Sequence, residues 1–185
     1  PLSHVAGMMV DIVCPLLVRS GHCTVCFARS YDLKIGTIGD RLRAVRPTIF
    51  IGVPRVWEKI MEKMQATIAA NPPTGIQAMI GRNGKAINLE FQQNNQLGGT
   101  GARSWFQFIG DTVGNKVRGL LGLDACNFAF TGAAPIKVET LEFFGALGIN
   151  INEVYGMSEC TGATTWSTDD YHIWGSCGWA MNGTE

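Results

Sequence analysis

An α/β fold built from parallel βαβ units is predicted by two stretches of the 185-residue chain and by its composition. The first stretch, "TIFIGVPRVWEKI", passes from a short β-branched and aromatic run straight into an amphipathic helical pattern. The second, "FAFTGAAPIKVETLEFFGALGININEVYGMSE", reads as strand, turn, helix and strand in succession. Hydrophobic residues make up 46% and charged residues 16%, so the chain can bury a core and is not a disordered segment.

The opening "PLSHVAGMMVDIVCPLLV" is apolar, but Asp11 and Pro15 interrupt it. It lacks the roughly 20 apolar residues of a spanning helix, and it lacks the basic start and cleavage site of a signal peptide. Without an initial methionine it reads as the interior of a larger protein. Residues 23–28 (CTVCFA) and 48–53 (TIFIGV) are predicted strands. Pro54 then opens a helix in which Val56, Ile60, Met64 and Ile68 recur every four residues, and Asn71-Pro72-Pro73 stops it. Residues 74–112, rich in Gly, Asn and Gln, read as a helical excursion with flexible joints.

The last unit is the most strongly patterned. Phe128–Thr131 is a predicted strand and Gly132–Pro135 a turn. The following helix turns Leu141, Phe144 and Leu147 inward, Gly148 ends it, and Ile149–Val154 forms the next strand. In a parallel pair the carboxyl ends of both strands lie on one edge, where α/β proteins bind ligands. Thr131-Gly132-Ala133-Ala134-Pro135 and Tyr155-Gly156-Met157-Ser158-Glu159 are therefore expected to emerge side by side. Small residues at the first let a flat ligand approach the backbone. Tyr155 offers a stacking face, Ser158 a hydrogen-bond donor and Glu159 a hard oxygen ligand. The set suits a magnesium-bound nucleotide.

Other chemistries are weaker. A formal net charge of zero argues against a general grip on nucleic acid, and Arg41, Arg43 and Arg46 read as a solvated face. "GRNGKA" has the wrong spacing for a phosphate loop, and "GGTGARS" follows no strand. The six cysteines, one pair spaced CxxC, show no framework and no second CxxC; free, mostly buried thiols are expected. His4, His22 and His172 are unremarkable out of context, and "DDYH" is a poor metal motif. "GMSEC" has Cys160 where a nucleophile elbow needs glycine, which leaves Ser158 as a hydrolase nucleophile only as an alternative.

"YGMSE" resembles the tyrosine–glycine signature of the adenylate-forming superfamily, and "PLSHVAG", "RPTIFIGVPRVWEKI" and "FAFTGAAPI" agree with it in order. The wording is most similar to long-chain acyl-CoA synthetases of the bubblegum type. The resemblance implies that residues 1–185 are the central part of one AMP-binding, adenylating domain, cut at both ends. It implies ATP-dependent activation of a long-chain fatty acid through an acyl-adenylate to acyl-CoA, with ATP, coenzyme A and Mg²⁺ as partners. Gly132, Ala133, Ala134 and Pro135 would wall the adenine, and Tyr155, with Gly156 and Met157, would hold the base. Ser158 would contact the α-phosphate, Glu159 would hold Mg²⁺, and His4 would sit near the acyl carboxylate. An intracellular setting, cytoplasmic or at the cytoplasmic face of a membrane with peripheral association, goes with it. The alternatives are a different carboxylate substrate, a non-catalytic nucleotide-binding paralogue or, third, a serine hydrolase. The family's phosphate loop, ribose-binding aspartate and lysine-bearing domain fall outside this stretch, so the piece by itself is expected to be inactive.

The hydrolase alternative has a direct test. A serine-reactive phosphonate should leave Ser158 unlabelled in the full-length protein; covalent labelling detected by mass spectrometry would favour ester cleavage over adenylation.

Overall fold

The computed structural model describes residues 4–17, 21–96 and 105–184. A five-stranded sheet runs in the order β1-β2-β3-β4-β5. β1 (Ile49–Ile51), β2 (Phe128–Gly132) and β3 (Ile151–Met157) pair in parallel, and β4 (Gly162–Trp166) and β5 (Trp179–Ala180) continue the sheet antiparallel. The predicted α/β architecture is present.

At the amino end, α1 (Val5–Met8), a π-helical turn (Met9–Val13) and α2 (Cys14–Leu17) form one helical run. The predicted strand at 23–28 is absent; residues 22–29 have no regular structure. An isolated β-prone run has no ladder to join, and β-propensity counts only when a neighbouring strand supplies packing and hydrogen bonds. The expectation of mostly buried thiols also fails. Cys14, Cys23, Cys26, Cys160 and Cys177 are free and exposed, and Cys126 is half-buried. Four of the exposed five sit in this irregular stretch, the adjoining helical run or the carboxy-terminal return.

Trp57 joins three elements of the core. α4 (Pro54–Ala70) follows β1 directly and inserts Trp57, fully buried, between Phe50 of β1 and Phe144 of α7 (Val138–Gly145). Both ring pairs are edge-to-face, at centroid distances of 5.1 Å and 5.0 Å. Ile60 is buried beside it, whereas Ile68, placed on the buried stripe by its spacing, is 39% exposed. In α7, Leu141 and Phe144 are buried as the periodicity requires, with Leu147 just beyond its end, and Gly148 turns the chain at φ +74°.

α5 (Gly75–Asn94) occupies most of residues 74–112 and pairs with α6 (Gln107–Leu121). Gly84 and Asn88 of α5 and Gly114 of α6 serve packing. A Cβ at Gly84 would lie 2.7 Å from Val113 Cγ2, and one at Gly114 2.8 Å from the Leu147 carbonyl. Buried Asn88 donates to the Gly110 carbonyl at 2.9 Å and accepts from Gln107 Nε2 at 3.0 Å. The joint at 97–104 lies outside the described residues.

α3 (Ile38–Val45) carries two of the three arginines read as a solvated face, Arg41 and Arg43, and Arg46 follows as its carboxyl-terminal cap. Arg43 and Arg46 are exposed and Arg41 partly so, and each is also paired. Arg43 bonds Asp40, Arg46 bonds Asp124 and Arg41 reaches Asp32. Asp32 is fully buried and accepts from Arg29 Nη2 at 2.8 Å, from the Arg29 amide at 2.8 Å and from Thr37 Oγ1 at 2.7 Å. The Arg29 and Thr37 hydrogen bonds hold its carboxyl far below the usual carboxylate range. A depressed folded-state pKa gives stability that is present above the unfolded value, about 4, and is lost as pH falls below it. Asp32→Asn should therefore lower the thermal midpoint at pH 7, and the gap to wild type should narrow below about pH 4. A gap constant from pH 7 to pH 3 would mean the charge is irrelevant.

Candidate active site

The carboxyl ends of β2 and β3 are locked side by side by the register Thr131↔Glu153 and Gly132↔Val154. A Cβ at Gly132 would sit 2.8 Å from the Val154 carbonyl, so this close approach needs glycine. Ala133 follows at φ +67°, a left-handed conformation that strains an alanine by on the order of 1 kcal/mol. Ala133, Ala134 and Pro135 are exposed, and Ile136 re-enters the core before α7 begins. The turn is an open rim anchored at both ends.

β3 differs from expectation. It does not end at Val154 but continues through Tyr155, Gly156 and Met157, because β4 folds back and pairs with all three. Ser158–Cys160 form a 3₁₀ turn at the hairpin tip, closed by Thr161 at φ +61° and Gly162 at φ +131°. A bulge between Tyr155 and Gly156 re-aims the strand there. Gly156 is a packing residue of this hairpin: a Cβ on it would run into the Gly162 carbonyl.

Tyr155 is 46% exposed, and its ring meets no other aromatic ring among the described residues. Ser158 and Glu159 are exposed, and neither side chain has a hydrogen bond or ion pair among the described residues. An unengaged carboxylate at a hairpin tip fits Mg²⁺, which commonly takes one or two protein carboxylates and completes its shell with phosphates and water. Among the described residues no cluster of three His, Cys, Asp or Glu could hold a metal without such help. Ser158 lies on a β-hairpin turn and not on the strand-to-helix elbow of a serine hydrolase.

His4 caps α1, with Nδ1 accepting from the Ala6 amide at 3.2 Å. In the neutral ring that bond puts the proton on Nε2, leaving it free to donate. The helical run it starts reaches the signature hairpin, since a Cβ at Gly162 would lie 3.6 Å from Met9 Cγ. His4 itself has no bond to Ser158 or Glu159.

Two features escaped the sequence reading. Asn150 and Asn152 of "ININ" begin a polar network beneath the site. Asp169 accepts from Asn152 Nδ2 at 2.6 Å, Trp174 Nε1 donates to Asn150 Oδ1 at 3.2 Å, and buried His172 meets the Asp169 carbonyl at 3.1 Å. "DDYH" is thus a structural tie, and burial lowers the His172 pKa. The second is Glu153, half-buried, whose Oε2 accepts the Gly175 N–H at 2.9 Å. Burial pushes its carboxyl up to about 7. An acidic residue in a strand between Asn152 and Val154 was the available signal. Two clefts among the described residues lie elsewhere: one of about 240 Å³ at the opposite strand ends by Asn127 and Gly148, another beside Arg29 and Arg41.

The AMP-binding enzyme family matches residues 1–185. The chain is 44% identical over 183 residues to the long-chain-fatty-acid–CoA ligase ACSBG2 of Gallus gallus, covering 99% of this chain and 23% of that protein. It is 38% identical to the Homo sapiens ACSBG2, covering 99% and 27%. With the Drosophila melanogaster long-chain-fatty-acid–CoA ligase heimdall it shares 35% identity, covering 99% and 26%. The chain thus spans about a quarter of the length of the curated relatives it matches. No solved structure matches it.

The hairpin geometry makes Gly156 a sensitive position. Gly156→Ala should force β4 away from β3 and lower stability by about 2 kcal/mol or more, within the range of core overpacking. Denaturant unfolding measures it, and a loss below about 0.5 kcal/mol would show that the hairpin can relax.

Proposed function

Since the chain belongs to the AMP-binding enzyme family, we propose that the full-length protein is a long-chain fatty acid–CoA ligase that works through an acyl-adenylate. A carboxylate oxygen of the fatty acid attacks the α-phosphorus of ATP, and the bond to the β-phosphate bridge oxygen breaks to release pyrophosphate. The coenzyme A thiol, losing its proton, then attacks the acyl carbonyl, and AMP leaves. The observation that carries this reading is the parallel register of β2 and β3, which sets the Gly132–Pro135 turn beside the Tyr155–Glu159 signature.

The residues divide the work. Gly132, Ala133, Ala134 and Pro135 wall one side of the adenine, and the exposed ring of Tyr155 stacks on its face. Gly156 and Met157 supply backbone along the nucleotide. Ser158 donates its hydroxyl to the α-phosphate, and the Nε2–H of His4 orients the entering carboxylate. Glu159 holds Mg²⁺, which when bound neutralises charge on the phosphates. These are positioning and electrostatic contributions, strongest where water is excluded.

We further propose an intracellular enzyme associated peripherally with the cytoplasmic face of a membrane, where its apolar substrate dissolves. No helix among the described residues is long and apolar enough to cross a bilayer.

Glu159→Gln in the full-length protein keeps size and hydrogen bonding but removes the charge. The pyrophosphate-releasing half-reaction should fall on the order of 10²-fold. Thioester formation from a preformed acyl-adenylate, which lacks the β- and γ-phosphates, should change little. Pyrophosphate exchange and thioester assays on one preparation separate the two steps. Equal losses in both would make Glu159 a structural residue.

A further inference from the structure

We propose that Glu153 is a positioning residue for the signature, its side chain acting as a hydrogen-bonded tie between β3 and the return segment 173–178. Its consequence for catalysis rests on the adenylation reading above; the tie itself does not.

Glu153 stands at the root of both ligand-facing ends. It lies two residues before Tyr155 on the same face of β3, and in register beside Thr131, the residue before Gly132. The chain after β4 reaches it twice, at Ser167 and at Gly175 of the return segment. The Ser167 hydroxyl accepts from the Glu153 amide at 2.6 Å, and the Ser167 amide donates to the Glu153 carbonyl at 3.0 Å. Eight residues later the Gly175 N–H donates to its side chain. Gly175, at φ +82° with Val138 Cγ2 2.9 Å from where a Cβ would be, is itself confined to this conformation by α7.

The tie is passed on to the signature. Three residues past Gly175, a Cβ at Gly178 would run into the Trp166 and Ser167 backbone, so this segment packs directly on the end of β4. β4 is the strand that pairs with Tyr155, Gly156 and Met157. Loosening the return segment therefore loosens the strand that aims Tyr155.

The surroundings do not support a charge. Thr131 brings a buried hydroxyl with no protein partner, not a cation. Lys137, Glu139 and Glu142 on or beside α7, and Asp169, Asp170 and His172 between β4 and the return segment, add no shift; burial raises the Glu153 pKa and only the Gly175 N–H opposes it. A neutral acid still accepts the Gly175 N–H through its carbonyl oxygen, without an uncompensated charge. The folded-state pKa, about 7, lies above the unfolded value near 4.3. The contribution of Glu153 to stability is therefore full below about pH 4 and is lost as pH rises through 7.

The test compares full-length wild type, Glu153→Gln and Glu153→Leu between pH 5.5 and 8.5. Glutamine keeps the acceptor and is neutral throughout; leucine has no acceptor. Hydrogen exchange of residues 173–178, corrected for intrinsic rates and measured without substrate, reads the tie. Wild-type protection should fall several-fold as pH rises through 7. Glu153→Gln should match wild type at pH 5.5 and hold that value at pH 8.5, and Glu153→Leu should be about tenfold less protected at both. Pyrophosphate exchange should follow the same pattern, with Glu153→Gln overtaking wild type above pH 7. Glutamine behaving like leucine at pH 5.5, or wild-type protection constant or rising with pH, overturns the proposal. The expected protection pattern without pyrophosphate exchange in any variant would uphold the tie and reject adenylation.

Discussion

The close approach of Gly132 to the Val154 carbonyl, at the end of the β2–β3 parallel pair, is the constraint on which the candidate site depends. Parallel strands end on one edge, but they bring two loops together only if the pairing runs to their last residues. Here it runs to Gly132, the last residue of β2, and stops at Val154, next to Tyr155, because Gly132 has no side chain to hold the strands apart. The turn after β2 then opens beside Tyr155 and not above or below it. Every role assigned to Gly132–Pro135 and to the signature presupposes this adjacency.

Behind that edge the structure is stiff. Trp57, bracketed by Phe50 and Phe144, joins the first helix after the sheet's edge strand to the crossover helix α7. Truncation of such a residue commonly removes about 3–5 kcal/mol, a large part of a domain's stability. On the far side, α5 and α6 approach through glycines, and Asn88 satisfies a helix carbonyl inside their contact. In front of it the chemistry-bearing groups are left unengaged: the Tyr155 ring, the Ser158 hydroxyl and the Glu159 carboxylate are all exposed. A rigid back and an open front suit a site that must meet a large charged ligand with little reorganisation.

The signature hairpin also redistributes responsibility among its residues. Gly156 answers to β4, since the Gly162 carbonyl occupies the space its side chain would need. Ala133 carries backbone strain on the opposite rim, where a left-handed alanine shapes the turn next to the ligand edge. The polar network of Asn150, Asn152 and Asp169 fixes the lower end of β3, and Glu153 fixes its middle. Together they hold a strand whose last three residues would otherwise have only β4 to pair with.

Patterns local to the chain were legible in the sequence. Leu141, Phe144 and Leu147 repeat at helical spacing and are buried; Pro54 opens α4; and "FAFTG" and "ININEVYG" are strands in a parallel pair. The candidate site residues could be named because tyrosine, serine and glutamate around a glycine at a strand end are more than a turn requires. What the tertiary structure alone decided depends on partners distant in the chain. Residues 23–28 have strand propensity but no strand to pair with, so they stay irregular. β3 runs on to Met157 only because β4 returns to it. Arg46 finds Asp124, 78 residues away, and the Glu153 pKa is raised by the burial around it, against the opposing Gly175 amide. Periodicity and turn chemistry act over a few residues and can be read in order; pairing, burial and pKa belong to whichever groups the fold brings together.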